Sequence, residues 1–317
     1  MESGLKAQEE RVFKSDARSI GDMYHMALEE VAKEVLESKK KGEPLPEEED
    51  LKNIIDNRII ALAGEQYDGL FLSNGEEEFR LERIKEICLA AAKAVLVQIE
   101  SGAIEEMLFE EDFGEGFDFP ELVVDTGSEK VKLRGRVDRI DIMEGDRIRI
   151  VDYKTGDDTV NVEQMKKGYK MQLAIYLQAT TQDKYEPAGF FYFNIKEMAE
   201  SLNSKSQKQL DDFADKQDED KYKLDGCYIN DPGVAEAMPT EVIRKKNKEA
   251  HVLSRMEYEE LMEEVTNRLQ EFCGDIVEGR IDISPLRQSN RLDCGFCKYK
   301  AICRFEDYDS ANKPRVL

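Results

Sequence analysis

The sequence predicts an α/β protein, a central mixed sheet flanked by helices with an added helical region at its N-terminal side. Three features of the apolar pattern point there. Up to about residue 103 the apolar residues recur at helical spacing, and from Ile104 they alternate with polar ones. After the alternating segment come an amphipathic stretch and then an apolar run, the order of a strand, a crossover helix and a further strand. A chain of 317 residues is long enough for one large domain or two small ones.

Taken in order, Ile20 to Leu36 reads as an amphipathic helix carrying His25, one of two histidines in the chain. Lys39 to Glu49 is a charged linker whose prolines stop a helix. Helical patterning resumes from Leu51 to Gly64 and again from Glu77 to Ser101. In the second of these, Leu81, Ile84, Ile87, Cys88, Ala91, Val95 and Ile99 form one stripe, and Cys88 on it reads as a buried thiol. Met107 to Phe113 and Glu121 to Asp125 then read as strands on either side of a glycine-rich turn, Gly114-Glu-Gly116.

The centre of the chain is Gly135 to Lys154, two strands folded back on each other at Glu144-Gly145-Asp146. A three-residue loop pairs Met143 with Arg147, Ile142 with Ile148, Ile140 with Ile150 and Asp138 with Asp152. That register gathers four isoleucines on one face, as a buried sheet requires; a two-residue loop would send the two aspartates to opposite faces. Beyond the isoleucines, the same face carries Asp138, Asp152 and Lys154. Directly opposed side chains have β-carbons about 4.5–5.5 Å apart, where two carboxylates repel unless a cation sits between them. A hard divalent ion, Mg²⁺ or Mn²⁺, suits such oxygen ligands, and an ammonium beside it could hold a metal-bound water. Asp-x-Lys alone is often a surface ion pair; the opposed Asp138 is what points to metal chemistry.

Gly-Arg-Val-Asp138-Arg-Ile-Asp followed by Val-Asp152-Tyr-Lys154-Thr-Gly resembles the PD-(D/E)xK nucleases of the RecB type, and among them the C-terminal nuclease domains of the AddB family, bacterial ATP-dependent helicase-nuclease subunits. The resemblance implies a restriction-endonuclease-like core and a Mg²⁺-dependent DNA exonuclease that hydrolyses one strand during double-strand-break processing for recombinational repair. It implies metal ligands at His25, Asp138, Asp152 and the main-chain carbonyl of Tyr153, with Lys154 positioning or activating the attacking water. Gly21-x-x-x-His25 followed by Leu28-Glu29 resembles the family's helix motif, and Glu110 before Phe113-Gly114 resembles its first-strand glutamate. Gln172 and Tyr176, four residues apart on the predicted helix Val162 to Thr180, match the Gln-x-x-x-Tyr motif that implies substrate orientation. The implied partners are DNA and an AddA-type helicase subunit in a heterodimer. No Gly-x-x-x-x-Gly-Lys-Ser/Thr sequence occurs, so ATP dependence would come from that partner.

The rest of the chain fits this frame. Ala188 to Ile195 reads as a buried strand, Tyr222 to Asn230 as another containing Cys227, and Ser254 to Gly279 as a long helix with Ser254 capping it and Cys273 packed along it. Lys196 to Lys221 reads as a polar, mobile loop. One functional domain is expected over 1–317: a helical region 1–103, a catalytic core 104–200, the loop 201–221, a strand and long helix 222–290, and a cysteine-bearing tail 291–317. In that tail Cys294, Cys297 and Cys303 lie close enough in sequence to suggest zinc or an iron-sulfur centre, both of which take four ligands. The family resemblance implies a [4Fe–4S] cluster whose fourth cysteine precedes the nuclease motifs. Here no cysteine precedes Cys88, and Gly4-Leu-Lys-Ala-Gln-Glu-Glu-Arg11 resembles the segment just after that ligand, so a C-terminal fragment with an incomplete cluster is expected.

The net charge of −23 opposes nucleic-acid binding, so any DNA path must be a local basic strip. Arg134, Arg136 and Arg139, then Lys166, Lys167 and Lys170, then Arg244, Lys245, Lys246 and Lys248 are candidates, each also readable as an ordinary solvated face. With no membrane-spanning run and no signal-peptide core, a soluble cytoplasmic protein is expected. A stand-alone CRISPR-associated exonuclease and a non-catalytic DNA-binding scaffold are the alternatives.

Overall fold

The computed structural model describes residues 15–65, 67, 69–101, 103–156, 158–182, 184–195, 222–235, 238, 242–244, 251–280, 282–288, 291–292, 294, 297–305 and 313–316. The expected mobile loop at 196–221, the family-like segment 4–11, and Lys245, Lys246 and Lys248 lie outside the described residues. In chain order the elements are α1 (Ala17–Lys41), α2 (Glu48–Glu65), α3 (Gly75–Ser101), β1 (Ile104–Phe113), β2 (Leu122–Asp125), β3 (Lys130–Leu133), β4 (Gly135–Met143) and β5 (Arg147–Lys154). Then come α4 (Val162–Lys166), α5 (Gln172–Thr180), β6 (Glu186–Asn194), β7 (Leu224–Ile229), β8 (His251–Leu253), α6 (Arg255–Val277), β9 (Leu286–Gln288), β10 (Arg291–Leu292), α7 (Lys300–Cys303) and β11 (Arg315–Val316). They form two compact units, one of Met1–Glu111, Arg136–Val160 and Asp183–Leu253, the other of Asp112–Gly135, Asn161–Gln182 and Ser254–Leu317. Among the described residues no helix is long and apolar enough to cross a membrane.

In the first unit the strands order as β1-β4-β5-β6-β7-β8. β4 and β5 are antiparallel, β5 and β6 parallel, β6 and β7 antiparallel, β7 and β8 parallel, so the sheet is mixed as expected. The β4–β5 register runs from Met143 opposite Arg147 through Ile142 with Ile148 and Ile140 with Ile150 to Arg139 with Val151, the alignment of a three-residue loop. Gly145 at φ +79° and Asp146 at φ +54° make the turn, the glycine adopting without penalty a backbone that a side chain resists.

The apolar stripes of α1, α2 and α3 meet the sheet in one core. Met23, Leu28 and Val31 of α1, Ile55 and Ile59 of α2, and Ile84, Cys88 and Val95 of α3 are buried with Met143, Val151, Phe191 and Phe193. Asp16 starts α1 through a capping box with Ser19, and Gly42 at φ +70° ends it. α1 therefore reaches Lys41, into the stretch expected as linker.

The expectation about charge fails on β4. Arg139, read as part of a basic strip, is fully buried together with Asp141 and Arg149. Arg139 Nε and Nη2 donate to Asp141 Oδ1 and Oδ2 at 2.6 and 2.9 Å, and Arg149 Nε donates to Oδ2 at 2.5 Å. Asp141 faces Arg149 across the ladder and Arg139 lies two residues away on the same face, so one carboxylate pairs with two guanidinium groups. Burial raises the energy of the Asp141 carboxylate, but the two cations outweigh it and hold the group below its usual range. Arg139 is thus a structural residue that no phosphate can reach.

In the second unit β2 and β3 form a hairpin, and α6 packs on α4, α5 and β2. Ser254 and Glu257 cap α6 reciprocally, as the sequence suggested. The single helix expected over Val162 to Thr180 is broken into α4 and α5. Gly168 sits at φ +86° with Phe272 of α6 so close that a β-carbon would lie 2.8 Å from its Cζ, and Lys170 also has positive φ. α5 begins at Gln172, so the Gln172 and Tyr176 pair keeps its four-residue spacing.

Candidate metal centre

Four elements of the first unit bring polar groups to the open end of the β4–β5 hairpin. The buried stripe of α1, Met23, Tyr24, Ala27 and Leu28, seats that helix on the core and leaves His25 on its flank, three-quarters covered. The ring of His25 packs edge-on against Tyr153, centroids 5.0 Å apart. Its Nδ1 lies 3.0 Å from Glu110 Oε1, and its Nε2 lies 3.8 Å from Asp138 Oδ2. His25, Glu110 and Asp138 each offer a ligand atom, and these atoms all fall within 4.8 Å of one another.

Glu110 reaches the cluster through an unusual backbone. It has φ +52° in the middle of β1, a conformation that costs a non-glycine residue about 1 kcal/mol or more and persists where surrounding structure demands it. Asp138 is fixed from the other side, accepting the Tyr153 N–H at 2.9 Å. The regular β4–β5 ladder ends one pair short of Asp138 and Asp152, so this hydrogen bond ties the strands where pairing stops. Gln172 and Tyr176 lie on α5 in the second unit, where Gln172 Nε2 donates to Tyr176 Oη at 2.8 Å and the tyrosine ring meets Phe113 edge-on at 5.8 Å. Cys294, Cys297 and Cys303 are free thiols in the same unit, Cys297 exposed and the other two half-buried.

Asp152 stands beside the cluster, 1% exposed, with Lys154 Nζ 2.5 Å from its Oδ2. Its Oδ1 has no hydrogen-bond partner among the described residues. A buried carboxylate oxygen left bare costs free energy, and burial together with the neighbouring Asp138 charge pushes the Asp152 carboxyl up to about 6. Burial likewise raises Asp138, against the opposing pull of His25. For His25, burial disfavours the imidazolium, but the hydrogen bond with Glu110 and the charges of Asp138 and Asp152 outweigh it, so its proton is held more tightly than usual. Burial also works against the Lys154 ammonium and is outweighed by Asp152, leaving the lysine firmly protonated.

An excess of buried negative charge, an orphaned carboxylate oxygen and a half-buried imidazole form a donor set suited to a hard divalent cation, which would relieve the repulsion among these acids. Such binding must displace protons from Asp152 and His25. Mn²⁺ affinity, measured by calorimetric titration between pH 5 and 8, is therefore expected to fall at least about tenfold per unit as pH drops below about 6. A flat profile would place the cation elsewhere.

A mixed sheet flanked by helices, with carboxylates, an imidazole and a lysine gathered at one hairpin end, is the arrangement of a nuclease-like fold. The model of the PD-(D/E)XK nuclease superfamily matches residues 1–304, and the chain belongs to that superfamily. Similar proteins include the B-type subunit of the ATP-dependent helicase/deoxyribonuclease of Clostridium tetani, 28% identical over 99% of this chain and 29% of that protein. The proteins of the same name from Thermoanaerobacter sp. and Alkaliphilus oremlandii are 28% and 24% identical, over 98% and 99% of this chain. The chain spans 29% of the length of these curated relatives.

Glu110 and Arg139 mark where sequence reasoning is weakest. The glutamate before Phe113-Gly114 is visible as a motif, but the backbone kink that delivers it is not.

Proposed function

We propose that this chain is the nuclease domain of a larger helicase-nuclease and hydrolyses DNA phosphodiesters with Mg²⁺ or Mn²⁺. The observation that carries the reading is the convergence of His25, Glu110 and Asp138 beside the Asp152 and Lys154 pair. His25, Glu110, Asp138, Asp152 and the main-chain carbonyl of Tyr153 are the groups that would hold the cation. When bound, it supplies Lewis-acid polarisation of the phosphate and a lowered pKa for its water. Lys154, kept protonated by Asp152, donates hydrogen bonds to the attacking water or to a phosphate oxygen and so orients one against the other. Tyr153 N–H holds Asp138 in place, and Glu110 on Nδ1 fixes which imidazole nitrogen of His25 faces Asp138.

Gln172 and Tyr176, joined along one helix face, would orient the substrate strand. A single strand delivered by a helicase subunit of AddA type, exonucleolytic trimming and double-strand-break processing are supported by the resemblance and by the names of the relatives, each the B-type subunit of a helicase/deoxyribonuclease. Cys294, Cys297 and Cys303 would supply three thiolates to a [4Fe–4S] cluster in the whole protein. The test is digestion of end-labelled single-stranded DNA with Mg²⁺ by the wild type and by Asp152→Ala. Degradation by the wild type alone is expected; equal degradation by both refutes the assignment.

A further inference from the structure

We propose that Phe117 and Arg134, on the second unit, form a platform that stacks an unpaired base of single-stranded DNA and holds its phosphate. The inference rests on the nuclease reading and adds to it a binding position outside the metal cluster and outside the Gln172 and Tyr176 pair.

The loop between β1 and β2 carries two phenylalanines with opposite fates. Phe119 is buried at 6% exposure, its carbonyl accepting the Gly114 N–H at 2.9 Å, whereas Phe117 is 54% exposed. A lone exposed phenylalanine means little; its neighbours give it meaning. Gly114 has no side chain, and the space a β-carbon would fill is taken by Arg134 Cβ at 3.3 Å and the Phe117 ring at 3.6 Å, so the two residues flank one glycine. Arg134 is exposed, and its guanidinium makes no ion pair or hydrogen bond among the described residues. The nearby Lys132, by contrast, is held by Glu121 at 2.7 Å and Glu115 at 3.6 Å.

The patch adjoins Tyr176. A β-carbon on Gly135, the residue after Arg134, would lie 2.7 Å from Phe113 Cε1 and 3.5 Å from Tyr176 Cε1. Tyr176, Phe113, Gly114, Phe117 and Arg134 are thus continuous within one unit, and Arg134 immediately precedes β4, the strand that carries Asp138. On a chain of charge −23, an arginine with no partner among the described residues beside an exposed ring is the combination by which proteins hold unpaired strands: the ring stacks a base and the guanidinium takes a phosphate.

The experiment measures fluorescence anisotropy of a labelled twenty-nucleotide oligothymidylate, and of a duplex of the same length, with the whole chain in EDTA so that no hydrolysis occurs. Phe117→Ala is expected to weaken single-strand binding about tenfold with unchanged melting temperature and unchanged duplex binding, and Phe117→Tyr to restore it. Arg134→Ala is expected to reduce the slope of log affinity against log salt by about 0.7, the share of one phosphate contact on a single strand. Wild-type affinity in Phe117→Ala, equal loss on the duplex, or no recovery in Phe117→Tyr would overturn the platform while leaving the nuclease reading intact. Failure of the wild type to bind either DNA would remove both.

Discussion

Asp152→Asn will lose DNA cleavage by about 10³-fold or more and, in the absence of metal, will be more stable than the wild type. The loss follows from removing a charged group from the proposed metal site, whose rate advantage would come from electrostatic stabilisation, where a few kcal/mol correspond to such a factor. The gain has a separate origin. The Asp152 carboxyl is raised from an unfolded value near 3.8 to about 6, so it favours folding in its neutral form below pH 4, and that contribution is lost as pH rises through 6. At pH 7 the full penalty is present, and an uncharged isostere of the same shape relieves it by on the order of 1–3 kcal/mol. Urea denaturation at pH 7 and a cleavage assay on the same sample read both effects. An Asp152→Asn protein as active as the wild type, or less stable than it in EDTA, would contradict this account of the residue.

Asp141→Ala should have the largest effect on stability. It leaves two buried guanidinium groups without their shared carboxylate, and breaking a buried ion group by removing one partner costs about 3–5 kcal/mol. That is a large share of the stability of an ordinary domain, so the variant should unfold at much lower urea or fail to accumulate. Glu110→Ala serves as the contrast: it should disturb metal binding and leave urea stability near or above the wild-type value. A stable, fully folded Asp141→Ala protein would show that Arg139 and Arg149 find other partners or water.

The hairpin was legible because two independent signals agreed. Gly145 in a three-residue turn sets the register, and the alternation of Ile140, Ile142, Ile148 and Ile150 allows only one face to be buried with them. Asp138, Asp152 and Lys154 follow from that count. The same alternation misplaced Arg139, because polar residues between isoleucines read as a solvent face. The strands lie inside a six-stranded sheet, and both faces of the hairpin are buried, one of them through a charge cluster. Asp141 opposite Arg149, with Arg139 two residues along, was available in the sequence as a warning. Glu110 depends on a backbone conformation that no residue pattern announces, and the break between α4 and α5 depends on Phe272, more than one hundred positions away in the chain.

Anomalous difference density from crystals of the wild-type chain soaked in Mn²⁺ tests most directly whether these acids were gathered to hold a cation. A single strong peak bounded by His25, Asp138 and Asp152, absent from an Asp138→Ala crystal treated in the same way, is the predicted result. Density elsewhere with none at the hairpin end, or carboxylates of Asp138 and Asp152 turned apart with packed hydrocarbon between them, would contradict it.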